Sequence, residues 1–268
     1  MKTWIPDERS FSYLTWKQVD ALPREATLLV LPTAAIEQHG HHLPLATDTL
    51  INNLLLGKAF EHIPDDKPIY ALPPVCYGKS NEHIGFPGTL SVSASTFMAV
   101  LRDLGASIAS AGFKRVALFN THGGNTSLVD VMARDLRAEF GLRTFTLFGA
   151  VGGGFDGVSV QERTYGFHAG EIETAFLLYG TPELVSTGQY TSNYIASVDE
   201  PELLKPEASS ANFAWLTRDI APSGVMGDPS AATAENGERW VANSAKKIAE
   251  VLLAMQAFEP KHGVKVEA

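Results

Sequence analysis

Short apolar runs alternate with stretches of helical periodicity along the chain. ATLLVLPTAAI (26–36) is an almost unbroken apolar run, the pattern of a strand buried on both faces. From Asp48 the spacing turns helical over TLINNLLLGKAF, with Thr47 or Asp48 as the predicted N-cap. PIYALPPV (68–75), RVALFN (115–120) and LRTFTLFGAV (142–151) predict three further strands. Helices are predicted over 93–112, over 125–140 with Gly141 behind it, over 170–180, and over the long closing stretch 234–258. Residues 181–228 are rich in Pro, Ser, Thr and Gly, show little periodicity, and predict an inserted flap.

Strand and helix in alternation predict an α/β fold, with a mainly parallel sheet covered on both faces. The whole chain, 1–268, reads as one domain. In such folds chemistry gathers beyond the carboxyl ends of the strands. EQHGHHLPLATD (37–48) follows the first strand, CYGKSNEHIGFPGT (76–89) the second, THGGN (121–125) the third and FHAGEIET (167–174) the fourth. The clusters of ionisable residues therefore share one rim.

Charge and cysteine content narrow the picture. The formal charge of −9, from 21 basic and 30 acidic residues, disfavours nucleic acid or an anionic membrane as partner. Cys76 is the only cysteine, so an intrachain disulfide and a cysteine zinc site are excluded. MKTWIPDERS lacks the apolar run of a secretory signal, and no stretch approaches the roughly 20 apolar residues of a membrane span. The expected location is the cytoplasm.

The rim residues carry metal-ligand chemistry. Glu37 and His39 are two apart and point the same way from an extended segment. Asp48 opens the following helix and can fold back toward the strand end, and His122 reaches the same point from the third strand. Glu, His and Asp together suit Zn2+, Mn2+ or Fe2+. The four are enough for one ion, and a bridging Asp48 leaves room for two about 3.5–4 Å apart. Any one of these histidines alone reads equally as a hydrogen-bonded loop residue, and His41 and His42 are surplus. Glu82 and His83 are candidate substrate contacts, or simply shape their loop. Gly152, Gly154 and Gly157 satisfy GxGxxG, but no helix is evident behind them, so a rim loop is expected instead of a dinucleotide site. No GxSxG elbow supports a serine nucleophile.

LPTAAIEQHGHHLPLATD, EHIGFPGTLS, NTHGGN and HAGEIETA, in this order over 31 to about 175, resemble the creatininase (creatinine amidohydrolase) family. The resemblance implies a three-layer α/β/α sandwich, two divalent metal ions per chain (Zn2+, Mn2+ or Fe2+), and a homo-oligomer, often a hexamer. It implies an amidohydrolase that cleaves a C–N amide-type bond in a small-molecule substrate (cyclic amide, formamide or peptide-like) through a hydroxide activated at a dinuclear centre. By position, Glu37 and His122 bind one metal, His39 the other, Asp48 bridges, and His168 moves a proton. In creatininase a glutamate two residues after the third-motif histidine completes the ligand set, and here that position is Gly124. Glu171 is expected to supply the missing ligand from the facing helix, with Glu173 as the alternative. The tryptophans that close creatininase's pocket also have no counterpart, since none occurs between Trp16 and Trp215, which disfavours creatinine itself. Two other classes remain: a catalytically inactive, metal-stabilised binding protein of this fold, and a nucleotide-dependent oxidoreductase resting only on the 152–157 glycines.

Overall fold

The computed structural model describes residues 2–149, 154–195, 203–206 and 210–259. Four parallel strands form the central sheet: β1 (Leu28–Thr33), β2 (Ile69–Ala71), β3 (Arg115–Asn120) and β4 (Arg143–Phe148), in the order β2-β1-β3-β4. β1 and β3 are buried along their whole lengths, as their unbroken apolar pattern requires. β2 is cut short where Leu72 gives way to Pro73 and Pro74, which cannot donate to a ladder. Register places Thr33, Asn120 and Phe148 side by side at the carboxyl edge.

Alternation along the strands divides the core in two. Leu28 and Val30 of β1, with Ala117 and Phe119 of β3, face helices α2 (Thr47–Phe60), α6 (Glu171–Gly180) and α8 (Ala234–Ala257). Leu29 and Leu31, with Val116 and Leu118, face α3 (Ala94–Ser110) and α4 (Thr126–Phe140). The result is the expected three-layer α/β/α sandwich. α2 is buried on nearly every side, so its apolar residues encircle it and no polar stripe exists to read. α8 keeps a clean apolar stripe through Trp240, Val241, Ile248 and Leu252, and Thr233 caps its start by accepting from the Asn236 amide.

Several local expectations shift. The N-cap of α2 is Ala46, not Thr47 or Asp48. Thr47 Oγ1 instead donates to Pro44 O at 2.6 Å, and Asp48 sits in the first turn with its carboxylate directed at the rim. A short helix, α1 (Trp16–Asp20), forms ahead of β1 through a capping box between Thr15 and Gln18. Another, α5 (Val160–Tyr165), follows the glycine-rich loop where none was expected, capped by Ser159. Gly152 and the end of the predicted fourth strand lie outside the described residues. Within 181–228, the described residues include a short parallel strand pair, β5 (Leu204–Lys205) and β6 (Ala211–Asn212), and helix α7 (Thr217–Ile220). Among the described residues, no helix is long and apolar enough to cross a membrane.

Candidate metal centre

The loop after β1 leaves the sheet at Thr33 and doubles back through Gly40, whose φ of +66° an L side chain would resist. The Glu37 amide donates to Leu45 O at 3.0 Å and closes the loop on itself. This fold-back, not strand alternation, brings Glu37 and His39 together, with Glu37 Oε1 3.9 Å from His39 Nε2. α2 supplies Asp48 and the end of β3 supplies His122. All four side chains are buried.

Their hydrogen-bond partners determine which nitrogens carry protons. His39 Nδ1 lies 3.1 Å from Glu37 O, which can only accept, so Nδ1 donates. The other nitrogen, Nε2, then faces Asp48 Oδ1 at 3.2 Å. His122 repeats the arrangement in reverse. Its Nε2 donates to Lys79 O at 3.0 Å, leaving Nδ1 toward Asp48 Oδ2 at 3.1 Å and Glu37 Oε1 at 3.3 Å. In their neutral forms both rings thus aim a lone pair at a carboxylate. Glu37 Oε2 and Asp48 Oδ2 are also buried without a hydrogen-bond donor. Buried acceptors facing acceptors are costly unless a cation or extra protons intervene. Without a metal the protons take that place: burial alone would lower the His39 pKa, but the Asp48 charge and hydrogen bond, with Glu173 and Glu37, hold it up to about 9. His122 is also raised, since Glu37 and Asp48 outweigh its burial. Burial works against the ionised Asp48, yet the two histidines keep it well below the carboxylate range. The donor set fits divalent cations, with one Asp48 oxygen turned to each histidine.

His168 belongs to the same cluster. Its Nε2 lies 2.7 Å from the Gln38 carbonyl, so Nε2 donates and Nδ1 turns its lone pair inward, 3.7 Å from Glu37 Oε1. Burial, then the charges of His39 and His83, hold its pKa well below the usual imidazole value. The His168 ring stacks between those of His39 and His83, at centroid distances of 4.3 and 4.1 Å. Gln38, which the sequence reading passed over, organises this stack. Its amide nitrogen reaches Gly224 O at 2.9 Å and His83 Nδ1 at 2.9 Å, while its oxygen accepts from the Gly40 amide. Only its position between two ligand-type residues marked it. Two residues that the sequence offered as supports for the ligands act as such: the Thr121 hydroxyl donates to the Asp48 carbonyl at 2.9 Å, and the Asn120 amide donates to His122 O at 2.7 Å. Asn125 occupies the N-cap position of α4, but its side chain makes no capping bond; it accepts from the Lys79 amide and donates to Ala34 O, tying two rim loops together. Of the surplus histidines, His41 is exposed and His42 is buried against Thr174 Oγ1.

Glu171 does not join the converging side chains. Its backbone amide donates to Glu162 Oε1, and its carboxyl is raised by burial and by Glu162 and Asp228, on the far side of α6. Two positions along a helix turn the side chain about 200°, so Glu173 faces the rim instead. Glu173 Oε2 lies 3.9 Å from His39 Nε2 and accepts from the Ala169 amide at 2.6 Å. Burial lifts its carboxyl to about 7. The geometry therefore groups Glu173 with His39 and His168. Gly124 is glycine for want of space: a Cβ there would lie 2.2 Å from Glu82 Oε1 and 2.4 Å from Lys79 O. The volume a side chain would fill is taken by Glu82, whose Oε1 is 3.6 Å from His122 Nε2.

Glu82 and His83 line a cleft of about 600 Å³ that opens over the cluster. Burial and then His39 lower the His83 pKa to about 3, keeping the ring neutral, and its Nε2 stands 3.5 Å from Glu37 Oε1. Sequence reading found no tryptophan for a lid near the fourth strand, yet an aromatic wall stands here. Trp215 arrives from the flap, its ring 5.2 Å from Phe167 and 6.5 Å from His83.

Comparison with known proteins adds four findings. A family model described as creatininase, creatinine amidohydrolase, matches residues 12–252. The mycofactocin precursor peptide peptidase of Mycolicibacterium smegmatis is 35% identical over 79% of this chain and 78% of its own length. The creatinine amidohydrolase of Pseudomonas putida is 31% identical over 64% of this chain and 72% of its own. Among solved structures, a creatinine amidohydrolase (creatininase) superposes with a TM-score of 0.71 at 25% identity, covering 94% of this chain and 99% of that one.

Proposed function

The chain belongs to the creatininase family of carbon–nitrogen hydrolases, and on that premise we propose that it is a metal-dependent amidohydrolase cleaving the C–N bond of a peptide-like amide. One observation carries the metal dependence: His39 Nε2 and His122 Nδ1 approach opposite oxygens of the buried Asp48, at 3.2 and 3.1 Å. Glu37, His122 and Asp48 would hold one cation, and His39, Glu173 and Asp48 the other. Divalent ions bound there supply Lewis acidity, polarising a carbonyl and acidifying water.

The remaining work falls to the chain. His168 Nδ1, neutral and held inward by the Nε2–Gln38 bond, takes up a proton and delivers it to the departing nitrogen. His83 Nε2, with its Nδ1 occupied by Gln38 and Thr217, offers a fixed donor to the substrate at the mouth of the cluster. Trp215 and Phe167 limit water access on the cleft side. A peptide-like substrate is favoured over a cyclic ureide by the roomy cleft and by the peptidase relatives from M. smegmatis and Mycobacterium ulcerans, 35% and 34% identical over about four-fifths of the chain.

The test is metal analysis of the purified protein, followed by a panel of small amides, formamides and short peptides with added Mn2+ or Zn2+. Two equivalents of metal and turnover of a peptide amide are expected. Metal uptake with no turnover of any amide would favour a binding protein of the same fold.

A further inference from the structure

A second cavity, of about 290 Å³, adjoins the cluster beside the cleft. Ile51 and Leu55 of α2, Phe148 at the end of β4, Phe155, and Ile172 and Phe176 of α6 supply apolar side chains to its wall. His122, Gly123, Phe167 and His168 line both this chamber and the cleft, so the two spaces meet at the proton-carrying residue.

Most polar side chains in the chamber wall are already engaged elsewhere. Glu162 Oε1 accepts from the Glu171 amide, and Oε2 from the Tyr194 hydroxyl and the Asp228 amide. Asn120 donates to His122 O and accepts from Thr33 Oγ1. Thr121 donates to Asp48 O and accepts from Asn52. Among the described residues, no Lys or Arg lines the chamber. Carbon makes up the larger part of the surface a ligand meets, and His122, His168 and Glu173 form the edge that faces the reaction. The cleft is the reverse, with Lys79, Asn81, Glu82, Asn212 and Asp219 in its wall.

Resting on the amidohydrolase reading above, we propose that the chamber is a specificity pocket. It receives an apolar, aromatic-sized group attached on one side of the scissile C–N bond, while the polar remainder of the substrate lies in the cleft. The occupant is committed by continuity: the chamber opens onto the cluster at His122, His168 and Glu173, so a group seated there is joined to the bond under attack. An apolar pocket with a few converging polar groups at one end suits such a ligand.

The experiment uses two matched pairs of amides: N-methyl against N-benzyl acetamide, and N-methyl acetamide against N-methyl phenylacetamide. Both kcat/KM and calorimetric affinity are measured on the metal-loaded protein. In one of the two pairs the aromatic member should be favoured by about tenfold or more, the scale at which an apolar pocket discriminates. Ile172→Trp, which fills the chamber, should abolish most of that ratio, and Thr126→Phe, at the less buried start of α4, serves the same purpose should Ile172→Trp fail to fold. Equal treatment of methyl and aromatic members in both pairs, with hydrolysis intact, overturns the pocket and leaves the hydrolase standing. Selective aromatic binding that Ile172→Trp removes, without any turnover, sinks the hydrolase reading and keeps the pocket. Neither binding nor turnover overturns both.

Discussion

His39 and His122 each give one ring nitrogen to a main-chain carbonyl, which leaves the other ring nitrogen of each facing Asp48. Replacing Asp48 with Ala removes the group common to both histidines, so elemental analysis of D48A should show loss of bound metal; undiminished stoichiometry would refute the shared role. Glu173→Ala should lose about one ion per chain, as for one ligand of a two-ion site, whereas Glu171→Ala should retain both. The same groups set a pH dependence for the metal-stripped protein. His39 is raised from 6.5 to about 9, so its pairing stabilises the fold fully below pH 6.5 and is lost as pH rises through 9. The carboxyl of Glu173, raised to about 7, acts in the same direction, losing its stabilisation as pH rises from 4.5. The His39 contribution is on the order of 3 kcal/mol. Thermal scans of chelator-treated protein should therefore show Tm falling between pH 6.5 and 9, and added Zn2+ or Mn2+ restoring more at the alkaline end because protons no longer compete. A Tm that is flat over that range would contradict the assignment.

At the scale of elements, the turn between His168 and α6 does what neither residue could do alone. Ala169 has a φ of 54°, the only described non-glycine residue with a positive φ, and is fully buried. Its amide holds the Glu173 carboxylate, so one left-handed residue directs His168 and Glu173 into the same space. Such a conformation costs an L-residue roughly 1–2 kcal/mol. Ala169→Gly should consequently leave unfolding free energy equal or higher by up to about 1 kcal/mol while lowering kcat, through a looser turn. Chemical denaturation beside steady-state kinetics separates the two effects; loss of stability with unchanged kcat would show that the strain has no positioning role. None of this was legible in HAGEIET. The motif announced histidine and glutamate on one rim, but which glutamate faces inward depends on where the helix starts, and α6 begins at Glu171 itself. Asp48 read both as a cap and as a rim ligand; Ala46 takes the cap position, and the Asp48 carboxylate turns to the histidines.

Across the whole molecule, the site sits at the edge where the two apolar layers end, and the layers are separable. The α3/α4 layer packs on the sheet face opposite the helix that carries Asp48. Leu101→Ala in that layer, at a fully buried side chain, should cost about 2–5 kcal/mol of stability in denaturant unfolding. The metal content of the folded fraction should stay unchanged. Loss of metal in parallel with stability would mean that both layers hold the rim in place.

Strand runs with period two or none, helices with period near four, and breaks at Gly and Pro are local properties, and they determined the parallel sheet, its two covering layers and the rim on which the ionisable residues gather. Residue type at that rim marked a candidate metal-binding set. The tertiary structure alone decided which side chains meet, because convergence depends on loop reversals and helix phase that short-range pattern does not encode. It turned Glu173, not Glu171, toward His39 and His168, placed Glu82 in the space beside Gly124, made Gln38 a structural hub, and brought Trp215 from the flap to the cleft. The apolar chamber was invisible along the chain for the same reason: its walls come from α2, β4 and α6, whose residues read separately as core, and only their packing leaves a space beside His168.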